Sequence, residues 1–206
     1  NDHRVFSNYA GILQGIGKLK EAEIFTRKAI ELNPEYTQAH SNLGNILKDL
    51  GKLKEAELYI RKAIELNPNS AIFNSSLGNI LKDIGKLNEA EISYRKAIEI
   101  NPNFEKAYSN LGNTLRDLGK LEEAEIYTLK AIELNPNSAI SNSNLGNILK
   151  DLGKLQEAEM SYRKAIETKP DFVNAYLNLG LVLQDLGKLQ DAEIFTRKAI
   201  EIKSDF

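Results

Sequence analysis

Apolar and polar residues follow one another along this chain in the rhythm of amphipathic helices. In the stretch 37–70, apolar residues recur three and four positions apart up to Leu50, and a second stripe runs from Leu53 to Ile64. This spacing places the apolar side chains on one face of a helix. Gly51 separates the two stripes and can end a helix in a left-handed turn. The pattern therefore predicts two helices joined by a tight reversal.

The prolines place this pair of helices in a 34-residue frame. They stand 34 positions apart, at Pro34, Pro68, Pro102, Pro136 and Pro170. The residue before a proline is pushed out of the helical conformation, so each proline marks the end of a second helix. Glycines recur in the same frame, at Gly44, Gly78, Gly112, Gly146 and Gly180, and at Gly17, Gly51, Gly85, Gly119, Gly153 and Gly187. The frame predicts one array over residues 1–206, with units at 3–36, 37–70, 71–104, 105–138, 139–172 and 173–206.

One glycine of the unit 37–70, Gly44, lies inside the predicted first helix. A glycine in a helix interior costs about 0.5–1 kcal/mol relative to alanine. Small residues, Ala56 and Ala63, also recur on the second helix. We therefore expect the two helices to approach closely at Gly44.

The third and fifth units differ from their neighbours in a correlated way. On the first helix they carry asparagine where the neighbours carry a ring, and on the second helix they carry tyrosine where the neighbours carry isoleucine or threonine. The residues are Asn74, Asn142, Tyr94 and Tyr162, against His40, Tyr108, Tyr176, Ile60, Thr128 and Thr196. Because protein interiors are close-packed, we interpret the exchange as compensation that keeps the volume between the helices constant. The interpretation requires both tyrosines to be buried.

These recurring residues resemble the tetratricopeptide repeat. In the unit 37–70 the resemblance rests on Asn42, Leu43, Gly44, Leu47, Gly51, Ala56, Ala63 and Pro68. It implies an all-α fold, in which twelve helices form six helix-turn-helix repeats stacked into a right-handed α-α superhelix or solenoid. It also implies that the first helices line a concave groove.

Asparagines recur on the first helices, before the Leu-Gly pair and again one helical turn later. They are Asn8, Asn42, Asn110, Asn144 and Asn178, and then Asn45, Asn79, Asn113 and Asn147. In the arrangement that the resemblance implies, they form a row along the groove. A carboxamide can bind a peptide backbone through a donor and an acceptor at once. Two interpretations stay open: the row binds an extended peptide, or the asparagines only bond neighbouring helices.

Charged residues end the first helices and are expected at the border of the groove. They are Lys48, Asp49, Lys82, Asp83, Arg116, Asp117, Lys150 and Asp151. Such a border favours a polar ligand, although mixed surface charge also serves solubility. On the second helices, glutamate and arginine four residues apart predict ion pairs on a solvated outer face. These pairs are Glu23–Arg27, Glu57–Arg61, Glu91–Arg95, Glu159–Arg163 and Glu193–Arg197.

Composition narrows the classes of function. The net charge of −2, from 27 Lys and Arg against 29 Asp and Glu, lacks the basic excess typical of nucleic-acid binding. The chain has no cysteine and only two histidines, so we expect no metal, no cofactor and no catalytic centre. No apolar run approaches the roughly 20 residues of a membrane span. With no visible targeting signal, we expect a cytoplasmic protein without membrane contact.

The sequence therefore predicts a non-catalytic scaffold that binds a protein or an extended peptide through an asparagine-lined groove. One alternative is the substrate-recognition arm of a larger transferase whose catalytic domain lies outside this chain. Another is a structural solenoid that self-assembles end to end, because the last helix carries Ile194, Ile200 and Ile202 without a polar cap after it.

Overall fold

The computed structural model describes residues 2–204, and within them all regular secondary structure is α-helical. Twelve helices in this range pair into six hairpins, each with a first and a second helix joined by a short turn. The predicted all-α fold of six helix-turn-helix repeats is therefore confirmed. The helices are α1 (His3–Gly15), α2 (Leu19–Leu32), α3 (Thr37–Asp49), α4 (Leu53–Leu66), α5 (Ala71–Ile84), α6 (Leu87–Ile100), α7 (Glu105–Asp117), α8 (Leu121–Leu134), α9 (Ala139–Asp151), α10 (Leu155–Thr168), α11 (Val173–Asp185) and α12 (Leu189–Ser204).

The hairpins group into two compact units, Asn1–Pro102 and Asn103–Phe206. The single array over residues 1–206 stays a prediction. Within each unit, every second helix packs against the first helix of the next hairpin, and consecutive first helices also approach one another. No two second helices do so among residues 2–204. Each unit therefore has a face formed by closely spaced first helices, which we call the inner face.

A glycine in the left-handed conformation closes each hairpin turn. At Gly51 φ is 76°, and its N–H donates to the carbonyl oxygen of Lys48 at 2.9 Å. The N–H of Lys52 donates to the carbonyl oxygen of Leu47 at 2.8 Å. These two bonds satisfy the last carbonyls of α3, in a backbone conformation that favours a residue without Cβ. Positive φ recurs at Gly17, Gly85, Gly119, Gly153 and Gly187.

The two helices of a hairpin touch at the interior glycine of the first helix, as the sequence predicted. A Cβ atom on Gly44 would lie 2.5 Å from Cγ1 of Ile60, and one on Gly78 would lie 2.6 Å from Cε1 of Tyr94. Carbon atoms that are not bonded do not pack at such distances, because they attract best at about 3.5–4.0 Å. The absence of a side chain therefore lets the residue on the second helix lie directly against the backbone of the first.

Tyr94 and Tyr162 are 1% and 0% exposed, so the burial that the compensation hypothesis requires is confirmed. The tyrosine is nevertheless displaced by one position along the second helix. In the other hairpins, the preceding position carries a ring that packs against the ring of the first helix: Phe6–Phe25, His40–Tyr59, Tyr108–Tyr127 and Tyr176–Phe195. In the third hairpin these two positions are Asn74 and Ser93, and the tyrosine lies on Gly78 instead.

A surface pocket opens beside Asn74 and Ser93 in the third hairpin. The pocket has a volume of about 490 Å³, and Ile64, Leu77 and Ile92 contribute its apolar walls. Leu77 is 6% exposed, whereas the equivalent Leu43, in a hairpin that has the ring pair, is fully buried. Pockets also open at the equivalent positions beside Phe25 and Phe195, where the ring pair is present, so the pocket does not test the expectation of constant volume, which stays a hypothesis.

The predicted glutamate–arginine ion pairs form on the second helices, and Glu193–Arg197 is solvated as expected, but Glu23, Glu57 and Glu159 are mostly buried. The side chain of Glu159 is only 12% exposed and accepts hydrogen bonds from Arg163 on its own helix and from Lys188 of the next hairpin. The Lys188 ammonium holds the pKa of the Glu159 carboxyl below its ordinary value. Glu23 and Glu57 form equivalent bridges. The spacing of residues along one helix predicts the arginine partner on the same helix. It does not predict the lysine partner on the next hairpin.

The glycine contact gives a first prediction. Gly78→Ala should lower the free energy of unfolding by about 1–3 kcal/mol, because the new methyl group overlaps the Tyr94 ring. Adding Tyr94→Thr should recover part of this loss, since the first hairpin carries the same combination in Ala10 and Thr26, both fully buried. Urea unfolding of the wild type, both single variants and the double variant measures the coupling.

The matched control is Gly11→Ala in α1. A Cβ atom on Gly11 would meet nothing within 4 Å, so this substitution should raise stability by about 0.5–1 kcal/mol. If the losses of Gly78→Ala and Tyr94→Thr simply add in the double variant, the two positions do not share one space and the interpretation is wrong.

Candidate functional site

The nine predicted asparagines lie on the first helices and therefore on the inner faces of the two units. Asn8 is exposed and the other eight are partly exposed. They are Asn8 on α1, Asn42 and Asn45 on α3, Asn79 on α5, Asn110 and Asn113 on α7, Asn144 and Asn147 on α9, and Asn178 on α11. Where two of them share a helix they stand three residues apart, so they project from the same side of it.

The asparagines before the Leu-Gly pairs bond to the preceding hairpin. Asn42 donates from Nδ2 to the hydroxyl of Ser7 at 3.2 Å and accepts from Nε2 of Gln38 at 2.7 Å. Asn144 donates from Nδ2 to the hydroxyl of Ser109 at 3.1 Å. For Asn42, both ends of the carboxamide are therefore engaged within its own unit.

The asparagines one turn later fall into two kinds. Asn45 and Asn113 form no hydrogen bond within residues 2–204, so their carboxamides can rotate to suit a ligand. Asn79 and Asn147 accept a hydrogen bond from the phenol of a buried tyrosine on the second helix of the same hairpin. The distances are 2.8 Å from Tyr94 to Asn79 and 2.7 Å from Tyr162 to Asn147.

This reach of the tyrosine to the inner face was missed in the sequence, although the signal was present. Tyr94 and Tyr162 stand sixteen residues after Gly78 and Gly146, where a Cβ atom would lie 2.6 and 2.7 Å from the ring. A ring that passes so close to the first helix can extend its hydroxyl beyond it. A tyrosine sixteen residues after the glycine, together with an asparagine directly after the same glycine, indicates the hydrogen bond.

The predicted border charges lie at the ends of the first helices, and some of them connect adjacent hairpins. Arg116 donates from Nε to Asp151 at 2.6 Å, and Gln14 donates to Asp49 at 3.0 Å. Lys48 lies 3.4 Å from Asp49. The remaining predicted residues occupy the same helix positions, with Lys82 and Asp83 on α5, Asp117 on α7 and Lys150 on α9.

Two exposed leucines lie on the first helix of the sixth hairpin. Leu177 and Leu181 are 40% and 51% exposed, at positions where earlier hairpins carry serine and asparagine. Sequence reasoning did not single out these leucines. The serines equivalent to Leu177, such as Ser109 and Ser143, are buried against the next hairpin, so Leu177 lies on a hairpin-packing surface, whereas Leu181 stands at the position of Asn147.

Metal binding and membrane insertion are two other kinds of feature to consider in the described part of the chain. Among residues 2–204, no three side chains of the types that bind metal ions are grouped in a way that could hold one. None of the helices in that range has the length and apolar run that crossing a lipid bilayer requires.

The repeats belong to a known family. Family models described as TPR repeat match residues 78–119 and 146–187, and models described as Tetratricopeptide repeat match 3–36, 37–70, 59–92, 105–138, 127–160 and 173–206. Together these matches extend over nearly the whole chain. The chain therefore belongs to the tetratricopeptide repeat family.

Solved structures agree with this assignment. The crystal structure of YrrB, described as a TPR protein with an unusual peptide-binding site, is 28% identical with a TM-score of 0.65, over 87% of this chain and 93% of that one. The crystal structure of MamA is 27% identical with a TM-score of 0.70, over 79% of this chain and 95% of that one. PilF of Pseudomonas aeruginosa, 18% identical with a TM-score of 0.83 over 99% and 97%, shows the fold alone. No curated protein sequence matches the chain.

The buried tyrosines give a prediction about the site. Burial raises the pKa of the Tyr162 phenol above its ordinary value, so it stays protonated. Tetranitromethane nitrates tyrosines through the phenolate form. At mildly alkaline pH it should therefore modify Tyr9, which is 44% exposed, and spare the buried Tyr94 and Tyr162. Mass spectrometry of peptides from the folded protein measures this order. Nitration of Tyr162 as fast as that of Tyr9 would contradict the buried bond to Asn147.

Proposed function

We propose that this chain binds an extended peptide segment of a partner protein along an inner face. The observation that carries the proposal is a row of partly exposed carboxamides, of which Asn45 and Asn113 have both their donor and their acceptor unengaged. An extended peptide presents alternating N–H and C=O groups along its edge, and a carboxamide matches both. The chain's likeness to YrrB, whose description names a peptide-binding site, supports the same class of ligand.

The charges on the inner face fit an uncharged or weakly charged peptide better than a strongly charged peptide. Where the border residues are paired, as Arg116 with Asp151, the two charges offset each other. A backbone-directed site of this kind recognises the main chain, and the exposed Leu181, at the position of Asn147, adds an apolar contact for a side chain. The proposed partner segment is therefore uncharged or weakly charged and contains an apolar residue.

Peptide selection tests the proposal. A random library of twelve-residue peptides is selected on the wild-type protein, and the best peptide is labelled with fluorescein for titration by anisotropy. Asn113→Ala should weaken binding of this peptide by about 1–3 kcal/mol, which is about five-fold or more in Kd, because a buried peptide group loses its partner. Asn88→Ala, at an exposed asparagine on the second helix α6, is the matched control and should leave Kd unchanged. If both variants bind the selected peptide as the wild type does, the inner face is not its site.

A second candidate function is end-to-end self-association. Exposed apolar residues on the first and last helices, α1 and α12, favour it. Ile12 on α1 is 62% exposed, although Ile46 and Ile80 at the same position of the next hairpins are fully buried. On α12, Leu189 and Ile200 are 65% and 61% exposed. These residues lie on surfaces that, inside a unit, pack against the neighbouring hairpin. We propose that α12 of one copy covers α1 of the next.

Sedimentation equilibrium at micromolar to millimolar concentration tests this association. The wild type should form larger species as concentration rises, and Ile200→Glu should remain monomeric because a carboxylate cannot be buried without a partner. Ile126→Glu, at a residue that is 65% exposed in the middle of α8, is the control and should associate like the wild type. A wild type that stays monomeric over the whole range would contradict the association.

A further inference from the structure

In the second unit, the carboxamide of Asn147 has its acceptor fully engaged. Its Oδ1 accepts from the hydroxyl of Tyr162 at 2.7 Å and from Nδ2 of Asn178 at 3.0 Å. A carbonyl oxygen has two lone pairs, so both are taken. The polar group that Asn147 can still offer is its NH₂ group, which can only donate.

The two asparagines beside it have the opposite polarity. Asn144 donates from Nδ2 to Ser109, and Asn178 donates from Nδ2 to Asn147. The Oδ1 atoms of both have no partner within residues 2–204, so each can accept. Asn144 precedes Asn147 by one turn of α9, and Asn178 on α11 of the next hairpin donates a hydrogen bond to Asn147. The three carboxamides therefore follow one another as acceptor, donor and acceptor.

Tyr162 distinguishes Asn147 from Asn45 and Asn113, which occupy the same position on hairpins that carry no tyrosine there. Its side chain is fully buried, and its ring lies against Gly146, where a Cβ atom would be 2.7 Å away. The ring therefore cannot swing, and its hydroxyl stays at Oδ1 of Asn147. In the preceding hairpin Thr128 occupies the same position, and Asn113 makes no such bond.

We infer that Tyr162 and Asn178 hold Asn147 as a donor between two acceptors, so that the second unit binds an extended peptide in one register. This inference rests on the proposed function and refines it. In an extended chain, the N–H and C=O of one residue point to the same edge, and the next group on that edge is the N–H of the residue two positions later. The order along the edge is therefore N–H, C=O and N–H. The two N–H groups bond to Asn144 and Asn178, and the C=O between them bonds to Asn147.

Replacing asparagine by aspartate, at Asn147 and separately at Asn144, tests which carboxamide donates to the peptide and which accepts from it. Asn147→Asp can still accept from Tyr162 and Asn178, but it turns an acceptor toward the peptide carbonyl. Binding of the fluorescein-labelled selected peptide should weaken by about ten-fold or more. Asn144→Asp keeps an acceptor toward the peptide N–H and can accept from the hydroxyl of Ser109, so its Kd should change by less than about three-fold.

Equal losses in the two aspartate variants would overturn the inference while leaving peptide binding intact. If no peptide is selected on the wild type, the proposed function fails and the inference fails with it. Thermal unfolding of both variants, which should match the wild type, separates a change of contact from a change of fold.

The role of Tyr162 has its own test. Tyr162→Phe keeps the ring against Gly146 but frees one lone pair of Asn147, so binding of the same peptide should weaken about two- to ten-fold. Tyr108→Phe, at another buried tyrosine of the same unit, is the matched control and should bind normally. Unchanged binding by Tyr162→Phe would show that the phenol does not position Asn147.

Backbone methylation of the peptide provides a readout that a merely structural tyrosine would not affect. On wild-type protein, N-methylation of single residues in the selected peptide should weaken binding at two positions separated by one tolerant residue. On Tyr162→Phe this contrast between positions should diminish, because Asn147 can then turn over and accept a hydrogen bond. A uniform loss at every methylated residue on the wild type would overturn the fixed register.

Discussion

The close approach of the two helices at the interior glycine is the constraint on which the other features of each hairpin depend. Because Gly78 and Gly146 have no side chain, the residue sixteen positions later lies against the backbone of the first helix. That residue decides what fills the space and what reaches the inner face. A threonine or isoleucine stops between the helices, whereas the hydroxyl of Tyr94 or Tyr162 extends to an asparagine on the first helix.

Much of the fold follows from local patterns in the sequence. Proline and glycine spacing places each helix end, because these residues act through backbone conformation within a few positions, as Gly51 shows with φ at 76°. The sequence predicts two helices per 34-residue repeat, and the contact at Gly44, for the same reason. Residues three apart share one side of a helix, so the sequence places the paired asparagines together, while their position along a groove was implied by the resemblance to the tetratricopeptide repeat.

The partners of those asparagines could not be predicted, because they lie on other hairpins or other helices. Asn42 reaches Ser7, thirty-five positions earlier, and Glu159 meets Lys188, twenty-nine positions later. Such distances depend on how one hairpin is offset from the next, and no pattern within a single helix encodes that offset. For the same reason the spacing of Glu159 and Arg163 predicted a solvated pair and missed the bridge between hairpins.

The position of the aromatic ring on a second helix decides both how the hairpin packs and whether its asparagine is held by a phenol. Consecutive residues of an α-helix point about 100° apart, so a ring at Tyr127 meets Tyr108 while a ring at Tyr162 lies on Gly146. Within this chain no hairpin carries a ring at both positions. A hairpin that orients its asparagine therefore gives up the ring pair, and Leu145 is left 8% exposed where Leu111 is fully buried. Under the proposed function, this looser local packing is the cost of fixing the orientation of a binding side chain.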